Sequence, residues 1–123
     1  MNYAQATDKE INHRLLELIH GDVVNYWCLS DDETFIYDCG QIGEDFHKIE
    51  LKDYCSDWSS TMPLAVKYGI SIKSPIKENK MWVAIWNEWG GIWTPNEMQV
   101  KSESPLRAIV ICLIKVMEFK NGN

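Results

Sequence analysis

The segment SPLRAIVICLIKVMEF, residues 104–119, is the most apolar stretch of the chain and limits the folds open to it more than any other feature. Ser104 is a suitable helix N-cap, and Pro105 suits the first helical position, where its missing N–H loses no hydrogen bond. The uninterrupted apolar run 108–114 is much shorter than the about twenty residues that a bilayer span requires. The segment therefore predicts a helix of a protein core rather than a membrane helix.

Charged residues interrupt this predicted helix at three positions that share one narrow stripe of its surface: Arg107, Lys115 and Glu118. All other sides of the helix can be buried. We therefore predict a helix over 105–119 that lies at the centre of the core and has one thin solvated edge.

The N-terminal region predicts a second helix, over 7–20. Thr7 and Glu10 have the spacing of a capping box, apolar residues follow at helical intervals, and Gly21 is a suitable stop. In this pattern Leu16 falls on the solvent side. We accordingly expect one apolar face of the helix to join the core.

A third predicted helix covers 57–68 and ends at Gly69. Its start has two candidate caps. Ser60 would place Pro63 in the first turn, where proline is tolerated, and Asp57 is the alternative.

The remaining apolar stretches read as strands that form hairpins. Residues 23–29 and 34–39 predict a hairpin over 23–39, and residues 81–86 and 92–95 predict another over 81–95. A short strand is expected at 70–72, and 40–56 is expected to be mainly loop. Helices and hairpins in this order predict an α+β fold: one domain, 1–123, with a small antiparallel sheet packed against three helices.

The formal net charge of −6 argues against direct nucleic-acid binding and against docking on anionic lipid, because both rely on clustered lysine and arginine. The four cysteines contain no CxxC pair, and the N-terminal residues do not resemble a signal peptide, so we expect four reduced thiols in a cytoplasmic protein. Asp45 and His47 lie two apart, but no third ligand is evident. We therefore expect no metal, no cofactor and no catalytic residue from a known motif.

Residues 29–46 hold six acidic residues and no basic residue, so the net charge of the chain resides in this one segment. Asp31, Asp32 and Glu33 form its densest part. A solubilising hairpin edge would explain such a cluster. The alternative is a surface that attracts a basic partner protein, and these three residues are then candidate partner-binding residues.

The second candidate surface is rich in tryptophan. On a strand, Trp82 and Trp86 share one face with Ala84, while the opposite face is also apolar. One interpretation is a two-sided core in which 40–56 covers the second face. The other is a contact surface formed by Trp86, Trp89 and Trp93, since tryptophan is enriched at binding hot spots.

Three parts of the sequence resemble the NinX-like family of small phage and prophage proteins. These are MNYAQATDKEIN at the start, YCSDWSSTMPLAVKYGISI at 54–72 and ESPLRAIVICLIKVMEF at 103–119. Residues 22–50 and 76–100 match less clearly. The resemblance implies a phage-encoded accessory protein in the bacterial cytoplasm and implies no particular chemistry.

Three hypotheses on function follow. The first is a non-enzymatic protein that binds and modulates a host or phage protein, for example by inhibiting a host defence component. The second is a homodimer with a structural or regulatory role. The third is a small enzyme or ligand-binding protein whose pocket has no known motif.

Overall fold

Two helices pack against the predicted central one. The structure is a computed structural model that describes residues 1–40, 47–75, 80–87 and 99–121. The helices are α1 (Asp8–His20), α2 (Trp58–Tyr68) and α3 (Pro105–Lys120), and a 3-10 turn covers Asp22–Asn25. All three predicted helices are confirmed. In the described residues, no helix is long and apolar enough to cross a bilayer.

Local capping explains where the helices begin and end. Thr7 Oγ1 accepts a hydrogen bond from Glu10 N at 3.1 Å, Glu10 Oε1 accepts one from Thr7 N at 3.1 Å, and α1 ends at Gly21 with φ 87°. Asp57 caps α2 by accepting a hydrogen bond from Ser59 N at 3.0 Å. The preference for Ser60 as the cap was therefore wrong, and Pro63 lies inside the helix rather than in its first turn.

The first sheet contains β1 (Cys28–Leu29), β2 (Phe35–Tyr37) and β3 (Lys48–Glu50), in the order β1-β2-β3 and antiparallel throughout. The hairpin predicted over 23–39 forms, but its first strand is shorter than predicted because the 3-10 turn follows α1. Strand β3 lies in a segment that was predicted to be mainly loop.

The second sheet contains β4 (Ile70–Lys73), β5 (Trp82–Trp86) and β6 (Gln99–Ser102), in the order β4-β5-β6. The predicted strands 70–72 and 81–86 are confirmed. The return strand predicted at 92–95 lies outside the described residues. In the described part of the chain, β5 pairs with β4 and with β6, and no strand was predicted at 99–102. The α+β fold is confirmed, with the strands divided between two sheets.

Helix α3 forms the centre of the core and contacts α1, α2 and all three strands of the second sheet. Its residues Ile109, Leu113 and Ile114 are buried. The polar stripe of α3 is half-buried rather than fully solvated, because it binds the N-terminal segment and α1. Arg107 Nη2 donates to the carbonyl oxygens of Tyr3 at 2.8 Å and Ala6 at 2.6 Å.

Two further contacts extend this packing of α1 on α3. Glu118 forms an ion pair with Arg14 at 2.9 Å, and Arg107 forms one with Asp8. Leu16 is buried rather than solvated, so its predicted exposure was wrong, and Ile19 is the more exposed apolar residue of α1. The apolar face of α1 is therefore rotated relative to the predicted one.

The cysteines depart from the prediction of four free thiols. Cys28 and Cys39 form a disulfide, with their Cα atoms 5.7 Å apart, while Cys55 and Cys112 are buried thiols outside this disulfide. The pair was missed because two cysteines eleven residues apart meet only when the hairpin between them adopts this register. The disulfide joins the start of β1 to the residues that follow β2.

Candidate functional site

The acidic residues singled out in the sequence lie together in the turn between β1 and β2. We call residues 30–34 the acidic turn. Ser30 N donates to the Phe35 carbonyl at 2.9 Å, and Glu33 N donates to the Ser30 carbonyl at 3.0 Å. Glu33 has φ 59°, in the left-handed region that glycine or asparagine adopts more readily. The turn therefore holds a charged side chain at its least favourable backbone position.

The acidic residues of this turn have two different tasks. Asp32 Oδ1 accepts hydrogen bonds from Thr34 Oγ1 at 2.6 Å, Ser30 Oγ at 2.8 Å and Thr34 N at 3.1 Å. These hydrogen bonds, with those of Thr34 largest, hold the pKa of the Asp32 carboxyl below its usual range. Asp32 thus organises the turn itself. The carboxylates of Asp31 and Glu33 are exposed and bind no other described side chain, so their charge is available to a partner.

A groove of about 730 Å³ runs beside the acidic turn. We call it the α1 groove, because the first two turns of α1 form one wall and the segment after β3 forms the other. Its apolar surface comes from Met1, Leu16 and Leu51. Glu33 lies on its edge and joins the acidic turn to the groove. Of the three predicted acidic residues, Glu33 lines this groove, and the α1 residues of the lining were not predicted.

Asn12 holds the two walls of the α1 groove together. Its Nδ2 donates to Asp53 Oδ1 at 2.8 Å, and its Oδ1 accepts a hydrogen bond from Cys55 N at 3.0 Å. Both bonds connect α1 to the segment that leads into α2. The groove is therefore formed by tertiary contacts between distant parts of the chain, and no local motif indicates it.

The α1 groove carries more negative than positive charge. Four carboxylates line it against two lysines: Asp8, Glu10, Glu33 and Asp53 against Lys9 and Lys52. Asp8 is paired with Arg107, Glu10 with Thr7 and Asp53 with Asn12. Hydrogen bonds from the Thr7 backbone and side chain also keep the pKa of Glu10 below its usual range. Glu33 is the carboxylate of the described lining that has no hydrogen bond or ion pair to another described side chain, while Glu10 and Asp53 keep their charge because Thr7 and Asn12 are neutral.

The described lining of the α1 groove does not contain a hydroxyl or thiol nucleophile of the kind that acyl-transfer enzymes use. It includes no serine, threonine or cysteine side chain beside a base. His13 Nε2 lies 3.1 Å from Asn25 Oδ1, which is an amide oxygen and not an acid. Among residues whose positions are described, no three His, Cys, Asp or Glu side chains group to hold a metal ion.

The tryptophan surface predicted from the sequence is not present at Trp86. This side chain is only 1% exposed, and its ring packs edge-on against Phe119 with the ring centroids 5.6 Å apart. The face of β5 that carries Ala84 and Trp86 lies against α3, so the assignment of Trp86 to an exposed patch was wrong. Trp89 and Trp93 lie outside the described residues.

One group of exposed apolar residues lies on a single face of α2. Trp58 is 47% exposed and Val66 is 76% exposed, and Met62 lies between them at the same helical spacing. The three share one face of α2 because they are four residues apart. Sequence analysis did not identify this stripe, although that spacing is visible once the helix is known to start at Trp58.

Known protein families, characterised proteins and solved structures contain no match to this chain. The resemblance to the NinX-like family therefore stays a prediction. The function is argued below from the geometry of the acidic turn and the α1 groove.

Proposed function

We propose that this protein is a non-enzymatic binding protein that recognises a basic segment of a partner protein through the acidic turn and the α1 groove. The observation that carries the proposal is Glu33. Its charge is exposed at the edge of the groove, and its backbone keeps a left-handed conformation that a glutamate rarely adopts. Retaining a charged residue there is understandable if the carboxylate contacts a ligand.

The shape and charge of the surface support a polypeptide partner. Apolar side chains at the base of the groove would contact the aliphatic parts of lysine or arginine side chains. Glu33 and the neighbouring Asp31 would pair with their charged ends. The exposed carboxylates would also speed the approach of a basic surface, because long-range attraction acts before contact.

The resemblance to the NinX-like family supports a phage or prophage origin. On this proposal, the partner is a host or phage protein in the bacterial cytoplasm, and binding modulates it. Inhibition of a host defence component is one version. Affinity capture on the tagged full-length chain, followed by mass spectrometry, would identify such a partner.

A charge-neutralising variant tests the binding surface directly. The variant Asp31→Asn/Glu33→Gln removes two charges that have no partner in the described structure and leaves Asp32 in place to hold the turn. The matched control Asp22→Asn/Glu103→Gln removes two exposed charges that do not line the α1 groove. Surface plasmon resonance with an oligolysine peptide, and then with the captured partner, should be run at two ionic strengths.

We expect the Asp31→Asn/Glu33→Gln variant to associate more slowly and to show a flatter salt dependence, because salt screens long-range attraction. The control variant should stay close to the wild type. Equal rates for all three proteins would show that the acidic turn is only a solubilising edge, and the proposal would be wrong.

A homodimer is the second candidate, and the exposed stripe on α2 favours it. Trp58 and Val66 present apolar surface on one helical face, which a second copy of the chain would bury. Sizing chromatography should then give twice the chain mass of 14.3 kDa, and Val66→Lys should restore the monomer. A wild-type protein that elutes at the monomer mass would rule this candidate out.

A further inference from the structure

The Cys28–Cys39 disulfide lies at the base of the hairpin that carries the acidic turn. Strand β1 has two residues, and two residue pairs join it to β2: Cys28 opposite Tyr37 and Leu29 opposite Ile36. In the described part of the first sheet, β1 is an edge strand with β2 as its single neighbour. The covalent bond is therefore a major constraint on the position of β1.

The disulfide can be reached from solvent, whereas the other two cysteines cannot. Cys39 is exposed and Cys28 is half-buried. Cys55 and Cys112 are buried, and burial raises the pKa of each thiol to about 12. Because the thiolate is the form that takes part in exchange, these two cysteines are unreactive in the folded protein. Thiol chemistry is thus confined to the hairpin.

We propose that the Cys28–Cys39 disulfide is a thiol-exchange site whose reduction by a dithiol loosens the base of the hairpin, shifts the acidic turn relative to the α1 groove and weakens binding of a basic segment. The part on binding rests on the proposed function above. The part on exchange stands on exposure, strand length and position in the sheet.

The dithiol supplies the electrons and protons for the exchange reaction. One thiolate of the dithiol attacks the exposed Cys39 Sγ, the Cys28–Cys39 bond breaks, and Cys28 leaves as a thiolate that takes up a proton. The second thiol of the reductant then attacks the mixed disulfide and releases Cys39 as a thiol. Two electrons and two protons pass to the protein, and the dithiol becomes a disulfide.

The structure indicates what reduction would change. The hydrogen bonds of Asp32 lie within the acidic turn, so they hold its local shape in both redox states. At the base of the hairpin, the two residue pairs of β1 would then be left without the cross-link, while the Ser30–Phe35 hydrogen bonds would still close the turn. The position of Glu33 relative to the α1 groove depends on that hairpin. Reduction should therefore let the Glu33 carboxylate move away from the groove edge. In a reducing cytoplasm, accessible disulfides of this kind act as sensors more often than as permanent links.

The test compares oxidised and dithiothreitol-treated wild-type protein with the variant Cys28→Ser/Cys39→Ser, which copies the reduced state. Alkylation of the folded proteins followed by mass spectrometry reports which thiols react. Hydrogen exchange of the backbone amides in 28–37 reports the order of the hairpin, and titration with oligolysine reports binding.

We expect dithiothreitol to expose two alkylatable thiols, at Cys28 and Cys39, while Cys55 and Cys112 stay protected. Exchange in 28–37 should rise roughly tenfold or more on reduction, since loss of the cross-link restores conformational freedom. The double serine variant should match the reduced wild type and should not respond to dithiothreitol. Affinity for oligolysine should fall in step with the rise in exchange.

Other results would overturn the inference in distinguishable ways. Hairpin exchange that is equal in both redox states would show that the disulfide does not control the turn. Equal oligolysine affinity in the two states would overturn the regulation and leave the proposed function standing. If exchange responds to reduction but neither state binds oligolysine, the proposed function fails and the thiol-exchange site remains.

Discussion

Replacement of Leu113 by alanine provides a quantitative test of the central position of α3. Leu113 is 0% exposed, and its helix is surrounded by α1, α2 and the second sheet. The substitution removes three buried carbon groups, which accounts for about 2.5 kcal/mol at roughly 0.8 kcal/mol each. Because rigid elements enclose the site, the space left behind should stay open and add about 1–2 kcal/mol. The expected loss of unfolding free energy is therefore about 3.5–4.5 kcal/mol.

Urea denaturation followed by tryptophan fluorescence would measure this loss. The midpoint should fall while the dependence on urea stays unchanged, since the folded state keeps its overall burial. Val66→Ala is the matched control, because it also shortens an aliphatic side chain in a helix but at a position that is 76% exposed. Its effect should be within about 0.5 kcal/mol. A Leu113→Ala midpoint no lower than that of Val66→Ala would refute the central position of α3.

Three further predictions concern the acidic turn, the free thiols and the first cap. The folded-state pKa of Asp32 is lowered, so its contribution to stability is present above its unfolded pKa and is lost as pH falls through the folded value. The stability difference between wild type and Asp32→Asn should therefore shrink below pH ~4. A difference that grows on acidification would contradict the hydrogen bonding described. Cys55 and Cys112 should resist alkylation at pH ~9 in the folded protein and react after unfolding, because their thiol pKa is raised to about 12; rapid labelling of either residue in native buffer would show that it is not buried. Thr7→Ala should lower the free energy of unfolding by about 1 kcal/mol, because it removes the N-cap of α1; thermal or urea unfolding that matches the wild type would mean that the cap contributes nothing.

About half of the candidate site was foreseeable. The acidic residues were identified from their density in the sequence, and they do lie together in one exposed turn. The sequence could not predict that Asp32 holds the turn while Glu33 stays exposed. This difference arises because the Asp32 carboxylate is the one that accepts the hydrogen bonds of Ser30 and Thr34. The α1 groove could not be predicted, since its walls are brought together by the bonds of Asn12 to residues more than forty positions away.

The strands also divide into features that the sequence predicts and features that depend on tertiary contacts. The return strand of β5 was sought at 92–95, among apolar residues, but β6 is a largely polar strand whose pairing is decided by its neighbour rather than by its own composition. Trp86 was assigned to a surface because an apolar strand has two apolar faces, and only the position of α3 decides which face is buried.

By itself, the sequence determined the features that depend on neighbours within a few positions. These are the helix starts at Thr7 and Ser104, the stops at Gly21 and Gly69, and the apolar character of α3. Capping and helical periodicity act over one or two turns, so they can be read directly from the chain. The tertiary structure alone decided the pairing of β5 with β6, the Cys28–Cys39 bond, the burial of Trp86 and the meeting of Glu33 with α1. Each of these joins residues that are far apart along the chain, and such contacts form only when packing of the whole core outweighs the entropy lost in closing the loops between them.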